Sequence, residues 1–185
     1  MLKNPPLIID NCVLGNLYSA DGLYYLLPLL YKDNIIIPTH VLEEATLKSE
    51  LYTELTKMIE EKVFKIYQIT KLNEIRRFAK LERRFKDNGE YQAKGEAAVL
   101  TIAEIFSGTV CSDNLSDVMP YIKRHNMPLK TTLSIIYDAY LEDYISYKKG
   151  NNMIRKIISQ GNRIPVTNFQ QILDWFENGK GKPIY

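Results

Sequence analysis

Short, wholly apolar runs alternate along this chain with longer stretches in which apolar residues recur every three or four positions. Leu7-Ile8-Ile9, Asn34-Ile35-Ile36-Ile37 and Thr109-Val110-Cys111 are the clearest short runs. Their length and their turn-residue borders predict buried strands. Val63-Phe64-Lys65-Ile66-Tyr67 alternates weakly and predicts another strand, and Met127-Pro128-Leu129 a short edge segment. Pro5 and Pro6 cannot join a central ladder, so they mark where the first strand begins.

Helical spacing predicts a helix from Leu14 to Tyr31, broken near Asp21-Gly22, with a kink or a second start at Pro28. Pro38-Thr39 opens the next helix, with Thr39 as its N-cap and Val41, Leu42 and Ala45 inward. Leu51 to Glu61 follows. Leu72 to Lys86 carries a stripe of Leu72, Ile75, Phe78 and Phe85 and stops at Asp87-Asn88-Gly89. Gly95 to Ile105 is rich in small residues that can press against a sheet, and Ser107-Gly108 ends it. Further helices are predicted at Ser116 to His125, Thr131 to Tyr147, Met153 to Ser159 and Asn168 to Asn178, with Gly150-Asn151-Asn152 separating the middle two. Buried strands alternating with helices predict an α/β fold, a parallel sheet covered on both faces and joined by right-handed crossovers. There are no internal repeats or low-complexity segments.

Composition narrows the class. The length of 185 residues suits one domain, 1–185, with its core at about residues 5–175 and a polar tail. Hydrophobic content of 45% and charged content of 25% are ordinary for a globular protein. A net charge of +2 is too small to argue for nucleic acid by itself. Two cysteines, Cys12 and Cys111, make no disulfide framework and suit a reducing cytosol, so a cytoplasmic location is expected. Asp10 interrupts the first apolar run, which is not a signal peptide, and no stretch is long and apolar enough to span a bilayer. The 13 tyrosines are assigned mostly to core edges and partner surfaces.

Four acids stand at equivalent places in this plan. Asp10 ends the first strand, Glu44 lies one turn into the helix after the second, Glu96 starts the helix before the fourth strand, and Asp113 ends that strand. Open α/β sheets bind ligands at the carboxyl ends of their strands, where all four can converge. Gathered carboxylates raise one another's pKa and call for a cation. Hard divalent ions take oxygen ligands, activate water and stabilise charge on a phosphoryl group.

At this point the sequence resembles the PIN-domain family of metal-dependent ribonucleases. The likeness is carried by Leu7-Ile8-Ile9-Asp10-Asn11-Cys12-Val13-Leu14, Ile37-Pro38-Thr39-His40-Val41-Leu42-Glu43-Glu44-Ala45, Gly95-Glu96-Ala97-Ala98-Val99-Leu100-Thr101-Ile102-Ala103 and Cys111-Ser112-Asp113-Asn114. The segment Lys130-Thr131-Thr132-Leu133 resembles the branch with a Gly-Glu third motif. The resemblance implies a three-layer Rossmann-like sheet of strand order 3-2-1-4-5. It also implies hydrolysis of RNA phosphodiesters with Mg²⁺ or Mn²⁺ at an acidic site. Asp10, Glu96 and Asp113 are then the metal anchors and Glu44 assists. Many small members are toxins held by an antitoxin, often as homodimers, so such partners are expected beside the RNA substrate.

Two positions depart from the family pattern. Asn11 stands where Ser or Thr is usual, and Asp113-Asn114 where two acids often adjoin. They support a second reading, a non-catalytic PIN-like module that binds RNA or a protein. The spacing from Pro38 favours Glu44 over Glu43 as the second acid. Asp117 is read as a surface acid or an outer-shell group one turn beyond Asp113, and Asp21 as a surface acid. Arg76, Lys80, Arg83 and Arg84, with Arg77 between them, make a basic ridge. It either contacts RNA phosphates or is a solvated face paired with Glu74 and Glu82. Cys12 and Cys111 are expected as reduced packing residues that could approach each other beneath the site. His40 and His125 show no ligand spacing.

Overall fold

A computed structural model describes residues 5–32, 34–47, 49–87 and 94–179. Five parallel strands form one sheet: β1 (Leu7–Ile9), β2 (Ile35–Pro38), β3 (Lys65–Tyr67), β4 (Thr109–Cys111) and β5 (Leu129–Lys130). Their order is β3-β2-β1-β4-β5, as expected from the motifs. The central β1 is entirely buried, which is why its three residues are all large and aliphatic.

The helices are α1 (Asn11–Ser19), α2 (Leu23–Tyr31), α3 (Thr39–Ala45), α4 (Ser49–Glu60), α5 (Leu72–Asp87), α6 (Lys94–Phe106), α7 (Leu115–His125), α8 (Thr132–Leu141), α9 (Tyr147–Ser159) and α10 (Phe169–Asn178). Eight of them fall into two packed groups around the sheet, and α3, with α4 against it, touches both α1 and α6. In one, α6 lies against β1, β2 and β4 and is flanked by α5 and α7. In the other, α1, α2, α8, α9 and α10 pack on one another. The small residues of α6 explain its close approach: Ala97, Ala98, Thr101 and Ala103 are fully buried with Val99, Leu100 and Ile102. Among the described residues no helix is long and apolar enough to cross a membrane.

Four boundaries differ from the sequence reading. The break near Asp21-Gly22 is real, with Asp21 at φ 52° between α1 and α2. However, α1 begins at Asn11, and Pro28 lies inside α2 rather than starting a helix. Thr39 is the first residue of α3, not its cap. Pro38 holds the cap position with no side-chain hydrogen bond. The stripe on α5 is shifted: Leu72 and Ile75 are exposed, and Leu81 and Phe85 are buried with Phe78 half-buried.

The fourth difference is the largest. The helix expected to run from Thr131 to Tyr147 ends at Leu141, Asp143 takes φ 57°, and α9 starts at Tyr147. Gly150 therefore sits within α9 instead of separating two helices. It is there because the helix presses on α10: a Cβ at Gly150 would lie 2.9 Å from Cδ2 of the fully buried Phe169.

This contact can be tested. Alanine at position 150 gains up to about 1 kcal/mol of helix propensity but overfills a packed site at about 1–3 kcal/mol. The Gly150→Ala protein is expected to melt about 2–8 °C lower in a thermal scan. An unchanged or higher midpoint would mean that Phe169 yields at no cost.

Candidate functional site

The parallel register fixes what stands next to what at the carboxyl edge. Ile9 pairs with Cys111, so the next residues on the two strands, Asp10 and Ser112, come level. The backbone N–H of Asp10 donates to the Cys111 carbonyl at 2.9 Å. On the other side of β4, Cys111 pairs with Lys130. Asp113 and Thr132 are thereby brought together one turn of chain later.

Asp10 is 3% exposed and is held by three donors. Oδ1 accepts from the Asn11 backbone at 2.8 Å. Oδ2 accepts from the Cys12 thiol at 2.9 Å and from the Ser112 hydroxyl at 3.0 Å. Ser112, fully buried, accepts in turn from the Asn114 backbone at 3.1 Å. The half-buried Asp113 is also held by three donors. These are the Thr132 backbone at 2.8 Å, the Thr132 hydroxyl, and the Asn16 amide at 2.8 Å. Its own N–H donates to the Cys12 sulfur at 3.2 Å.

The two glutamates come from helices. Glu44 accepts from the Gly95 backbone at 2.8 Å, and Glu43 beside it is exposed. A Cβ at Gly95 would lie 2.7 Å from Oε2 of Glu44, so the glycine of the Gly-Glu pair makes room for a carboxylate from another helix. Glu96 accepts from the Asn114 amide at 2.6 Å and from its own backbone N–H.

All four carboxyls are pushed above their ordinary values, and burial is the largest cause in each. Glu96 reaches about 7, with the charges of Asp10 and Glu44 adding to burial. Asp10 feels Asp113, and Glu44 feels Asp10. Hydrogen bonds to Asp10 from Cys12, Asn11 and Ser112 act in the opposite direction, as do those to Asp113 from Thr132 and Asn16. Burial and the neighbouring acids push the Cys12 thiol up as well, which keeps it protonated as a donor. The N-termini of α1, α6, α7 and α8 all begin at this edge and lend it partial positive charge.

Asp10, Glu44, Glu96 and Asp113 thus share one neighbourhood. Among the described residues, however, no three His, Cys, Asp or Glu side chains stand grouped as a ready-made metal cage. Like charges with no cation between them repel, and each carboxylate is held apart by its own donors. The donor set itself suits a hard divalent ion: it is all carboxylate oxygen, Asp10 is buried and the other three are half-buried, and Lys94 acts on Glu44 as an offsetting cation.

Other sequence expectations hold in part and are corrected in part. The Asn11 side chain does not donate to the site: its backbone does, and its Oδ1 is buried with no partner. Asp117 accepts from Ser116 at 2.7 Å, with no bond to Asp113. Asp21 is a surface acid paired with Lys156. Both cysteines are free thiols, and Cys12 bonds into the acid cluster rather than to Cys111. Ser112, Asn16 and Thr132 were not singled out in the sequence. Ser112 could have been found by counting strand register from Asp10, and Thr132 lies in the Lys130–Leu133 segment already quoted for its likeness, whereas Asn16 carries no local signal.

The basic ridge also changes character. Arg77 donates to both oxygens of Glu104 and, at 2.7 Å, to the hydroxyl of Tyr121. Glu74 turns away from the ridge to Tyr67, at 2.9 Å, and Lys71, at 3.3 Å. Arg76 is exposed and outside the groove between α5 and α7, which is lined by Arg77, Lys80, Arg83, Arg84, Arg124 and His125. Lys80, Arg83, Arg84 and Arg124 have no hydrogen-bond or ion-pair partner among the described residues. Arg77 sits beside Glu104 near the far end of α6, and α5 ends at Asp87, shortly before Lys94 opens α6. The two helices therefore run antiparallel, and the ridge from Arg77 to Arg84 advances about 10 Å toward Glu96.

A family model described as PIN domain matches residues 6–178. PIN domains are in general nucleases that depend on divalent metal. No curated protein matches the chain.

The raised carboxyls set a pH dependence. A carboxyl that holds its proton more tightly folded than unfolded contributes stability that is complete below its unfolded value and lost as pH rises through the folded one. For Glu96 that window runs from the ordinary glutamate value of 4.5 to about 7. The melting midpoint of chelator-treated protein is expected to fall between pH 5 and pH 8, and Glu96→Gln to flatten that fall. A midpoint that rises over this range in wild type would contradict the crowding of these acids.

Proposed function

Given that the chain belongs to the PIN-domain family, we propose that it is an endoribonuclease that uses Mg²⁺ or Mn²⁺ to hydrolyse RNA phosphodiester bonds. The observation that carries this reading is the convergence of the buried Asp10 with the half-buried Glu44, Glu96 and Asp113 at one sheet edge. Asp10, Glu96 and Asp113 would hold the ion, with Glu44 assisting. A divalent ion there supplies positive charge against the phosphate and lowers the pKa of water.

The chain's own residues then have distinct tasks. Ser112, Cys12 and the Asn11 backbone aim Asp10, while Thr132 and Asn16 aim Asp113. Asn114 orients Glu96, and Gly95 both leaves room for Glu44 and donates to it. The groove cations Lys80, Arg83, Arg84 and Arg124 favour a polyanion over a small phosphate ester, because they line a groove between two helices instead of converging on one point. The toxin role, with a protein antitoxin and a homodimer, remains the expectation drawn from the motif resemblance.

Two outcomes are expected. Mn²⁺ raises the melting midpoint of wild type and not of Asp10→Asn. The variant folds but loses about 100-fold or more of its cleavage of single-stranded RNA. A folded Asp10→Asn protein with full activity removes the acid cluster from the reaction.

Charge reversal of the ridge, Arg83→Glu with Arg84→Glu, is expected to raise KM about tenfold at low salt and leave kcat within about twofold. A fall in kcat at unchanged KM would place the ridge in the chemistry instead.

A further inference from the structure

α7, β5, α8, α10 and residues 163–165 enclose a cavity of about 240 Å³ whose wall includes Asp113. Met119, Leu129, Trp175 and Phe176 give it flat apolar surface, and Arg163 stands with Asp113 as its charged lining. Phe176 is held by stacking on Tyr137, with ring centroids 4.7 Å apart and planes 12° from parallel. Asp113 is fixed by Asn16 and Thr132, so the wall facing the acids is rigid. A second depression begins at the same Asp113 and continues over Asn114, Met119 and Lys123. A chain crossing the acids therefore passes the mouth of the cavity.

The size and the lining select an occupant. The volume lies below the range of about 300–1,000 Å³ typical for drug-sized ligands, so a helix or a folded peptide does not fit and a single ring system does. An aliphatic side chain from a protein partner would use the apolar lining alone and make no polar contact with Arg163 at the rim. A nucleobase has apolar faces for Trp175 and Met119 and a polar edge for Arg163.

We propose that this cavity receives one nucleobase of a single-stranded RNA whose adjoining phosphate lies at the acid cluster. The proposal rests on the ribonuclease reading and adds how the strand is seated. Phosphates run along the groove between α5 and α7, and one base turns to the opposite side of α7. The identity of that base then sets a sequence preference at one position.

Trp175 is the chain's only tryptophan, so its emission reports on this cavity directly. Chelator-treated wild type is titrated with labelled eight-nucleotide oligouridylate and oligoadenylate. Binding is followed by anisotropy and Trp175 by fluorescence, and inorganic polyphosphate serves as a polyanion without bases. The expected result is saturable quenching of Trp175 by at least one oligonucleotide, with the same midpoint as the anisotropy change, and none by polyphosphate. The exposed Arg163, changed to alanine, weakens that oligonucleotide about fivefold and leaves polyphosphate unchanged. Oligonucleotide binding with unaltered Trp175 emission overturns the cavity proposal and leaves the ribonuclease reading standing. Equal quenching by polyphosphate overturns it as well, since bases are then not involved. Absence of binding to both RNAs overturns the proposal and the RNA reading together.

Discussion

The pairing of β1 with β4 is the constraint on which the acid edge depends. It sets Ile9 opposite Cys111 and so delivers Ser112 to Asp10 and Asp113 to the next ledge of the sheet. Both strands are short, and their stability comes from apolar burial rather than from ladder length. Leu7, Ile8, Ile9, Val110 and Cys111 are all essentially inaccessible. A slip of one residue would expose this core and would also exchange the two faces of the strand. Hydrophobic burial therefore fixes the position of the carboxylates to within a hydrogen bond, although no carboxylate takes part in it.

That arrangement carries a cost in the isolated chain. Each buried carboxylate forgoes hydration, and four together repel. Among the described residues Lys94 acts on Glu44, and the rest of the offset comes from local donors. Asp10 and Asp113 each take three donors, and four helix N-termini begin at the same edge. Net contributions of about 0.5–1.5 kcal/mol per hydrogen bond aim the carboxylates but do not neutralise them. The cluster keeps a negative potential while holding its geometry, which is the property that a cation-dependent site needs.

The fold was legible wherever one signal acted alone. Apolar runs bounded by turn residues marked the strands, and small residues marked α6. The sequence reading failed where two signals competed. On α5, Leu72 and Ile75 look like core by type, yet antiparallel packing on α6 leaves them exposed and buries Leu81 beside the expected Phe85. At Gly150, local breaker chemistry suggested a helix end, yet the glycine serves a close helix crossing. At the sheet edge, the meeting of the four acids could be anticipated because strand ends and helix starts are positions in a topology. The groups that aim them could not, because Asn16 and Thr132 lie far from Asp113 in sequence and meet it only through the sheet order.

The two kinds of acid in the cluster divide its labour. Asp10 and Asp113 are short side chains on strand ends, each clamped by three donors, and they move only if the sheet moves. Glu44 and Glu96 reach in from helices on longer stems, Glu44 holding one cross-helix donor and Glu96 one side-chain donor beside its own N–H. Tightening of the edge around added positive charge is therefore carried by the glutamates, with the aspartates as the fixed frame. Gly95 matters for the same reason: by leaving space beside Glu44 it preserves freedom on the one side of the cluster that can adjust. Asp113, being on the fixed side, can then serve as a common wall for the acid cluster and the cavity beyond it.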